Sequence, residues 1–356
     1  MQEGCETAMM DEPPQDQMPP LGPQAKVALL LQARTYPEAP SRIELVETHM
    51  SWVFLAGCYA YKLKKPVRHD FLDFSTLVAR HRNCLEEVRL NRRLAWDVYL
   101  DIVSLAVDFA GHVRLEGAGE VIDWLVKMRR LPADRMLDFQ IRQHTVKSDD
   151  IQRLALRLCA FYRQAPAAAI SSEDYRRQFA EDIRLNWRKL RDPLHELPEP
   201  LLAAIHQGQL NLLSWEPALF DRRVAERRIV EAHGDLRPEH ICLEAEPVIF
   251  DCLEFNRRFR TLDVVDELGF LGMECERLDA AFIDRSILDT YRRECQDNPP
   301  QRLLAFYKSY RACLRARLAI WHIHELDRAE WPKWQRLARQ YLHLAERYSR
   351  LFDGLG

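Results

Sequence analysis

Apolar and polar positions change rhythm along this chain. Between Arg42 and Leu63, Ile43-Glu-Leu-Val-Glu-Thr48 alternates, Trp52-Val-Phe-Leu-Ala56 is apolar, and Gly57-Cys58 turns into Tyr59-Ala-Tyr-Lys-Leu63. Short runs bounded by turn residues predict three strands joined as a meander. From Ser75 to Leu94 the spacing becomes helical, with Leu77, Leu85, Val88, Leu90 and Leu94 on one side and charges opposite. Strand texture returns in 101–107, 112–115 and 121–126, giving the order β-β-β-α-β-β-β. After Pro132 the pattern is helical almost throughout, at 151–162, 172–191, 199–213, from about Asp266 and over 302–325. One hairpin interrupts it: Ile241-Cys-Leu243, a turn at Ala245-Glu-Pro247, then Val248-Ile-Phe250. The expected fold class is α+β, with a β-rich lobe over 25–128 and a helical lobe over 129–356.

The segment 1–24 holds Pro13, Pro14, Pro19, Pro20 and Pro23 among Gln, Glu and Asp. It cannot bury enough apolar surface to offset its ordering entropy, so a disordered tail is expected, followed by a short helix over about 24–34. Composition changes the picture little. With 47% hydrophobic and 29% charged residues and a net charge of −3, the chain reads as an ordinary globular protein with no general affinity for nucleic acid or membrane. No secretory leader and no span-length apolar run is visible, so a cytoplasmic protein is expected. The nine cysteines form no CxxC pair and no even ladder, which argues against a structural zinc site and against disulfide-linked partners.

Chemistry concentrates in His233-Gly-Asp-Leu-Arg-Pro-Glu-His240, followed by the hairpin and by Phe250-Asp-Cys-Leu-Glu254. The segment 233–254 resembles the catalytic loop of kinase-like phosphotransferases, which reads H-G-D-x-x-x-x-N in the small-molecule members. It is closest to the aminoglycoside-phosphotransferase branch of the protein-kinase-like superfamily. The resemblance implies a two-lobed kinase-like fold that binds ATP and Mg²⁺, with Mn²⁺ possible. Phosphoryl transfer needs the phosphates clamped, the metal held and the attacking hydroxyl aligned. On the resemblance, Asp235 is the base, Asp251 the metal ligand and Arg237 the cation that meets the transferred phosphate. At position 240 the family has Asn, whereas this chain has His240. Three readings follow: a changed metal preference, a single-metal site with His240 bonded to Asp235, or a nucleotide binder without turnover.

The N-terminal lobe matches the same pattern. Ala60-Tyr-Lys62 resembles the strand whose lysine pairs with ATP phosphates and with a helix glutamate. Lys62 is the better match, with Lys64 on the same strand face as the alternative. Glu87, in Glu-Val-Arg-Leu-Asn-Arg-Arg-Leu, is the expected partner. Thr48-His-Met-Ser51 lacks a glycine-rich signature; Ser51 could cap a phosphate, and an ordinary turn accounts for the stretch equally well. Lys127-Met-Arg-Arg130 sits where the inter-lobe hinge belongs, with main-chain groups near Val126 to Met128 expected at the adenine edge. Asp266 and Asp263 are expected to brace the catalytic loop or cap a helix. Glu254 is expected at metal or substrate, or at the surface.

Some enzymes of this resemblance carry a P-loop domain after the kinase-like module. No G-x-x-x-x-G-K-[ST] occurs here, so the kinase-like module alone is expected. The predicted activity is transfer of the ATP γ-phosphate to a hydroxyl of a small molecule; a nucleotide-binding pseudokinase is the alternative. Metal-dependent hydrolysis by His233, Asp235, His240 and Asp251 lacks the further His/Asp clusters it needs. Residues 301–356 carry eleven Lys and Arg against five Asp and Glu. That excess weighs against a polycationic acceptor and leaves sugars, sugar acids and other anionic metabolites open.

Overall fold

The computed structural model describes residues 21–69, 72–325 and 327–352. Most of the tail expected over 1–24 lies outside them, and helix α1 (Pro23–Leu30) already begins within its last residues. Strands β1 (Ile43–Glu47), β2 (Ser51–Ala56) and β3 (Tyr59–Lys64) form the expected meander. A short hairpin, β4 (Arg68–His69) with β5 (Leu72–Asp73), precedes helix α2 (Leu77–Asn91), whose N-cap is the Thr76 hydroxyl. Strands β6 (Tyr99–Val107), β7 (Val113–Leu115) and β8 (Glu120–Arg129) complete a six-stranded antiparallel sheet in the order β1-β2-β3-β8-β6-β7. Val27 and Leu30 of α1 pack with Phe54, Tyr61, Leu105 and Leu125 in one cluster. A second cluster joins Cys84 and Val88 of α2 to Ala60, Val126 and Met128 and then, across the cleft, to Cys242 and Val248.

The second lobe is helical: α3 (Leu137–Arg142), α4 (Ser148–Gln164), α5 (Ser172–Leu190), α6 (Glu199–Trp215) and α7 (Pro217–Ala225). Strand β9 (Ile229–Glu231) then enters the catalytic-loop segment, and β10 (Ile241–Cys242) pairs with β11 (Val248–Ile249) as the expected hairpin. A one-turn helix α8 (Arg257–Arg260) leads into β12 (Thr261–Asp263), which pairs back on β9, and helix α9 (Val264–Arg277) follows. Helices α10 (Ala281–Cys295), α11 (Gln301–Trp321) and α12 (Trp331–Ser349) close the lobe. The β9–β12 pair clamps both ends of the segment that carries the predicted chemistry. These strands, like β4 and β5, are too short for periodicity to reveal. The architecture is the two-lobed kinase-like one, a β-rich lobe facing a helical lobe. No helix among the described residues is long and apolar enough to cross a membrane.

Candidate active site

The chain leaves β9 through Gly234, at φ 92°, where a Cβ would stand 2.9 Å from the Arg260 Cβ. Only glycine accepts both the left-handed backbone and the close approach. His233 is fully buried. Its Nε2–H donates to the Phe250 carbonyl at 2.8 Å and its Nδ1 accepts the Asp235 N–H at 3.3 Å, which fixes the tautomer. Burial holds this imidazole below its ordinary pKa, so it stays neutral. The N–H groups of His233 and Gly234 both donate to Glu267, at 3.2 and 2.6 Å. Glu267 is therefore the brace of the loop, a role expected of Asp266. Asp266 instead forms a buried bidentate pair with Arg311 at 2.7 and 2.6 Å. Asp263 caps α9 through the Val265 N–H at 3.0 Å and binds Arg223.

Past the hairpin, Asp251 adopts φ 60°, a left-handed conformation that an aspartate tolerates better than most residues. Its N–H donates to the Tyr99 hydroxyl at 3.1 Å, and the next N–H, of Cys252, donates to Asn91 Oδ1 at 2.8 Å. Arg93 donates to the carbonyls of Glu231 and Ala232 at 2.8 and 2.9 Å. Helix α2 and the start of β6 thus hold the strained turn and the strand before it.

From Asp251 a chain of alternating charges runs inward. Lys62 Nζ lies 2.6 Å from Asp251 Oδ1 and 2.8 Å from Glu87 Oε1. The other Glu87 oxygen takes Lys64 at 2.5 Å, and Lys64 reaches Glu254 at 2.7 Å. Both candidate lysines are engaged, but only Lys62 meets Asp251. Burial alone would lower the Lys62 pKa; Asp251 and Glu87 outweigh it and push the pKa well up. Glu254 does not lie at the surface; its carboxylate pairs with the buried Lys64. Beyond Glu254 a cavity of about 750 Å³ opens beside α2.

Asp235 is gripped by Arg237, Nε to Oδ1 at 2.9 Å and Nη2 to Oδ2 at 3.0 Å. Burial opposes its charge, yet Arg237, His240 and Arg315 together bring its pKa down to about 2. Asp251 is likewise held far below the usual carboxylate range; Lys62 and His240 outweigh its burial. His240 Nδ1 faces the Asp235 carbonyl at 2.8 Å, so that nitrogen carries the proton. The bond goes to the main chain of Asp235, while the carboxylate oxygen is 3.6 Å away. His240 Nε2 then presents a lone pair, 3.1 Å from Arg237 Nη2 and 3.5 Å from Asp251 Oδ2.

Two cofactor expectations change. Val126 and Met128 lie inside β8, paired to Lys62 and Ala60 of β3 on one edge and to Ile102 and Tyr99 of β6 on the other. Their main-chain groups face the ladders and cannot bond adenine; their buried side chains pack with Ala60 instead. Main chain free of the sheet begins after Arg130, whose N–H goes to Cys58 O at 2.8 Å. Ser51 is buried, and its N–H is taken by Thr48 Oγ1 at 3.0 Å, which matches the ordinary turn weighed beside phosphate capping. In the same connection, His49 bonds His322 at the end of α11 and stacks on Trp321, tying the β1–β2 turn to the helical lobe. Tyr99, Asn91, Arg93, Glu267 and Arg315 were not singled out in the sequence; each acts through one or two bonds that no local pattern encodes.

The residues fit a hard divalent cation. Asp251 offers a carboxylate whose side chain is 39% exposed, and His240 Nε2 is the nearest further donor. Among the described residues no group of three or more His, Cys, Asp or Glu is gathered as a metal site. Mg²⁺ commonly makes do with one or two carboxylates, completing its shell with water and substrate phosphates.

No family model matches the chain. Uncharacterised proteins of Mycobacterium tuberculosis and Mycobacterium bovis are 32% identical over 279 residues, 78% of this chain and 54% of theirs. The chain thus spans about half the length of the curated relatives it matches. Among solved structures, an ethanolamine kinase of Plasmodium vivax superimposes with a TM-score of 0.50 at 10% identity, covering 85% of this chain and 81% of that one. A spectinomycin phosphotransferase in complex with AMP gives 0.49 at 12% identity, covering 90% and 97%. The chain therefore shares the kinase-like fold with these structures.

Proposed function

We propose that this protein is an ATP-dependent phosphotransferase that moves the γ-phosphoryl group to a hydroxyl of a small molecule. One observation carries the reading: Lys62 joins Glu87 at 2.8 Å and Asp251 at 2.6 Å, while His240 spans from the Asp235 carbonyl toward the Asp251 carboxylate. The two aspartates therefore share one site. The kinase-like fold, also that of an ethanolamine kinase, supports it.

In this reading Lys62 orients the phosphates, with Glu87 fixing the lysine. Asp251 and His240 Nε2 would hold the divalent cation, which supplies charge neutralisation on the phosphates when bound. Asp235 orients the acceptor hydroxyl and takes its proton; its low pKa keeps it ionised at neutral pH. Arg237 leaves the carboxylate to meet the transferred phosphoryl group.

The same Arg237 grip favours one second reading. Both Asp235 oxygens are occupied, which is what a nucleotide binder without turnover would also have. The two separate on incubating the purified protein with ATP and Mg²⁺ or Mn²⁺ against pooled metabolites, beside Asp235→Asn and Asp251→Asn. Transfer lost in both variants supports the kinase. Metal-dependent nucleotide binding with no transfer in any pool supports the second reading, and no such binding sinks both.

A further inference from the structure

The catalytic-loop turn 238–240 packs on α9, and α9 packs on α11 and α12. Where these helices meet, Glu274 of α9 gathers Arg277 at 2.8 Å, Arg315 of α11 at 2.9 Å and the Tyr341 hydroxyl of α12 at 2.8 Å. Arg315 uses its Nε for both Glu274 and Tyr341. Neither of its Nη nitrogens donates to an acceptor among the described residues. The guanidinium is thus held by its stem side with the fork left open. Roughly two turns further along α11, on the same face, His322 meets His49 of the β1–β2 turn.

The side chains that bear most on the Asp235 carboxylate are two guanidiniums, Arg237 and Arg315, and the imidazole of His240. Near them, Glu239 Oε2 is buried without a hydrogen-bond partner, 3.8 Å from Arg237 Nη1. An open guanidinium fork calls for an oxyanion, and an orphaned carboxylate oxygen calls for a hydroxyl donor. A polyamine acceptor would meet the two guanidiniums instead.

Resting on the phosphotransferase reading, we propose that the acceptor is an alcohol that also bears a carboxylate or phosphate, and that Arg315 determines this specificity by holding the oxyanion. The acceptor hydroxyl oxygen then forms its bond to the γ-phosphorus as the bond from that phosphorus to the β,γ-bridging oxygen breaks. The hydroxyl proton passes to Asp235, and ADP departs with the bonding pair. Glu239 takes another hydroxyl of the same molecule.

The test offers gluconate, glycerate and glucose 6-phosphate beside glucose, glycerol, ethanolamine and kanamycin, with ATP and Mg²⁺ or Mn²⁺. Transfer and the Tm of the ADP-loaded protein are read in the wild type, Arg315→Gln and Arg315→Lys. Expected is transfer to, or Tm elevation by, an anionic member, weakened about tenfold or more in Arg315→Gln and less in Arg315→Lys, with ATP affinity unchanged. The two variants are compared by circular dichroism, and Arg315→Lys keeps the test open if Arg315→Gln does not fold. Transfer to a neutral or cationic acceptor in preference overturns the anionic class and leaves the kinase standing. So does an ATP affinity that falls with the fork, or a panel with no anion that is used or raises Tm. Failure of the wild type to bind nucleotide with metal overturns both.

Discussion

His240 bonds Asp235 through the main chain and not the side chain: its Nδ1 lies 2.8 Å from the Asp235 carbonyl oxygen. The bond fixes the tautomer and turns Nε2 toward Asp251, so an imidazole lone pair stands where the resemblance puts an amide. Nitrogen ligands suit Mn²⁺ better than Mg²⁺.

We therefore expect an ATP analogue to bind more tightly with Mn²⁺ than with Mg²⁺, and His240→Asn to reduce that ratio about tenfold. Fluorescence titration with each metal measures it. An unchanged ratio removes His240 from the metal.

Lys62 and Lys64 both bind Glu87 but should fail differently. Lys64 is wholly buried between Glu87 and Glu254, so Lys64→Met leaves Glu254 without its lysine and one Glu87 oxygen unpaired and should cost about 3–5 kcal/mol in urea unfolding. Lys62→Met should cost less stability, because Asp251 stays partly exposed, yet lower transfer by about 100-fold or more. Equal stability losses would contradict the assignment of Lys62 to the phosphates.

Asp235 also ties stability to pH. Its pKa falls from an ordinary 3.8 to about 2 in the folded protein, so the unfolded chain binds its proton first on acidification. The contribution is whole above about pH 4 and disappears as pH falls through 2. Asp235→Asn should be less stable than wild type at pH 6, with the gap narrowing toward pH 2. Urea midpoints across that window check it, and a constant gap would refute it.

The Glu267 carboxylate holds two N–H groups of the catalytic loop. Glu267→Gln removes one acceptor oxygen and should cost about 1–3 kcal/mol, with faster amide exchange at His233 and Gly234. Unaltered exchange at both amides would dismiss the brace.

The sheet, its order of elements and the hairpin were legible because each strand and helix carries several apolar positions in its own period. So was the approach of Asp235 and Asp251 to one neighbourhood, on either side of His240, since a short hairpin leaves little freedom to the residues flanking it. Helix α2 was legible as a helix but not in its facing. Leu85 is exposed, whereas Glu87 and Asn91 are buried because they serve Lys62 and Cys252. A hydrophobicity pattern assigns such residues to solvent. Val126 and Met128 were misplaced as adenine donors because β8 runs on to Arg129, and a strand's end leaves a weaker trace than its middle. Glu267 went unnoticed beside Asp266, as two adjacent acids at a helix start cannot be ranked without knowing what approaches them.

Sharing Glu87 between two lysines has a mechanical result. Swinging α2 away from the sheet would desert Lys62 and Lys64 together and give up the Asn91 bond to Cys252 in the opposite lobe. Buried charges abandoned in that number cost more than a regulatory contact returns. Displacing this helix is therefore costly to the fold.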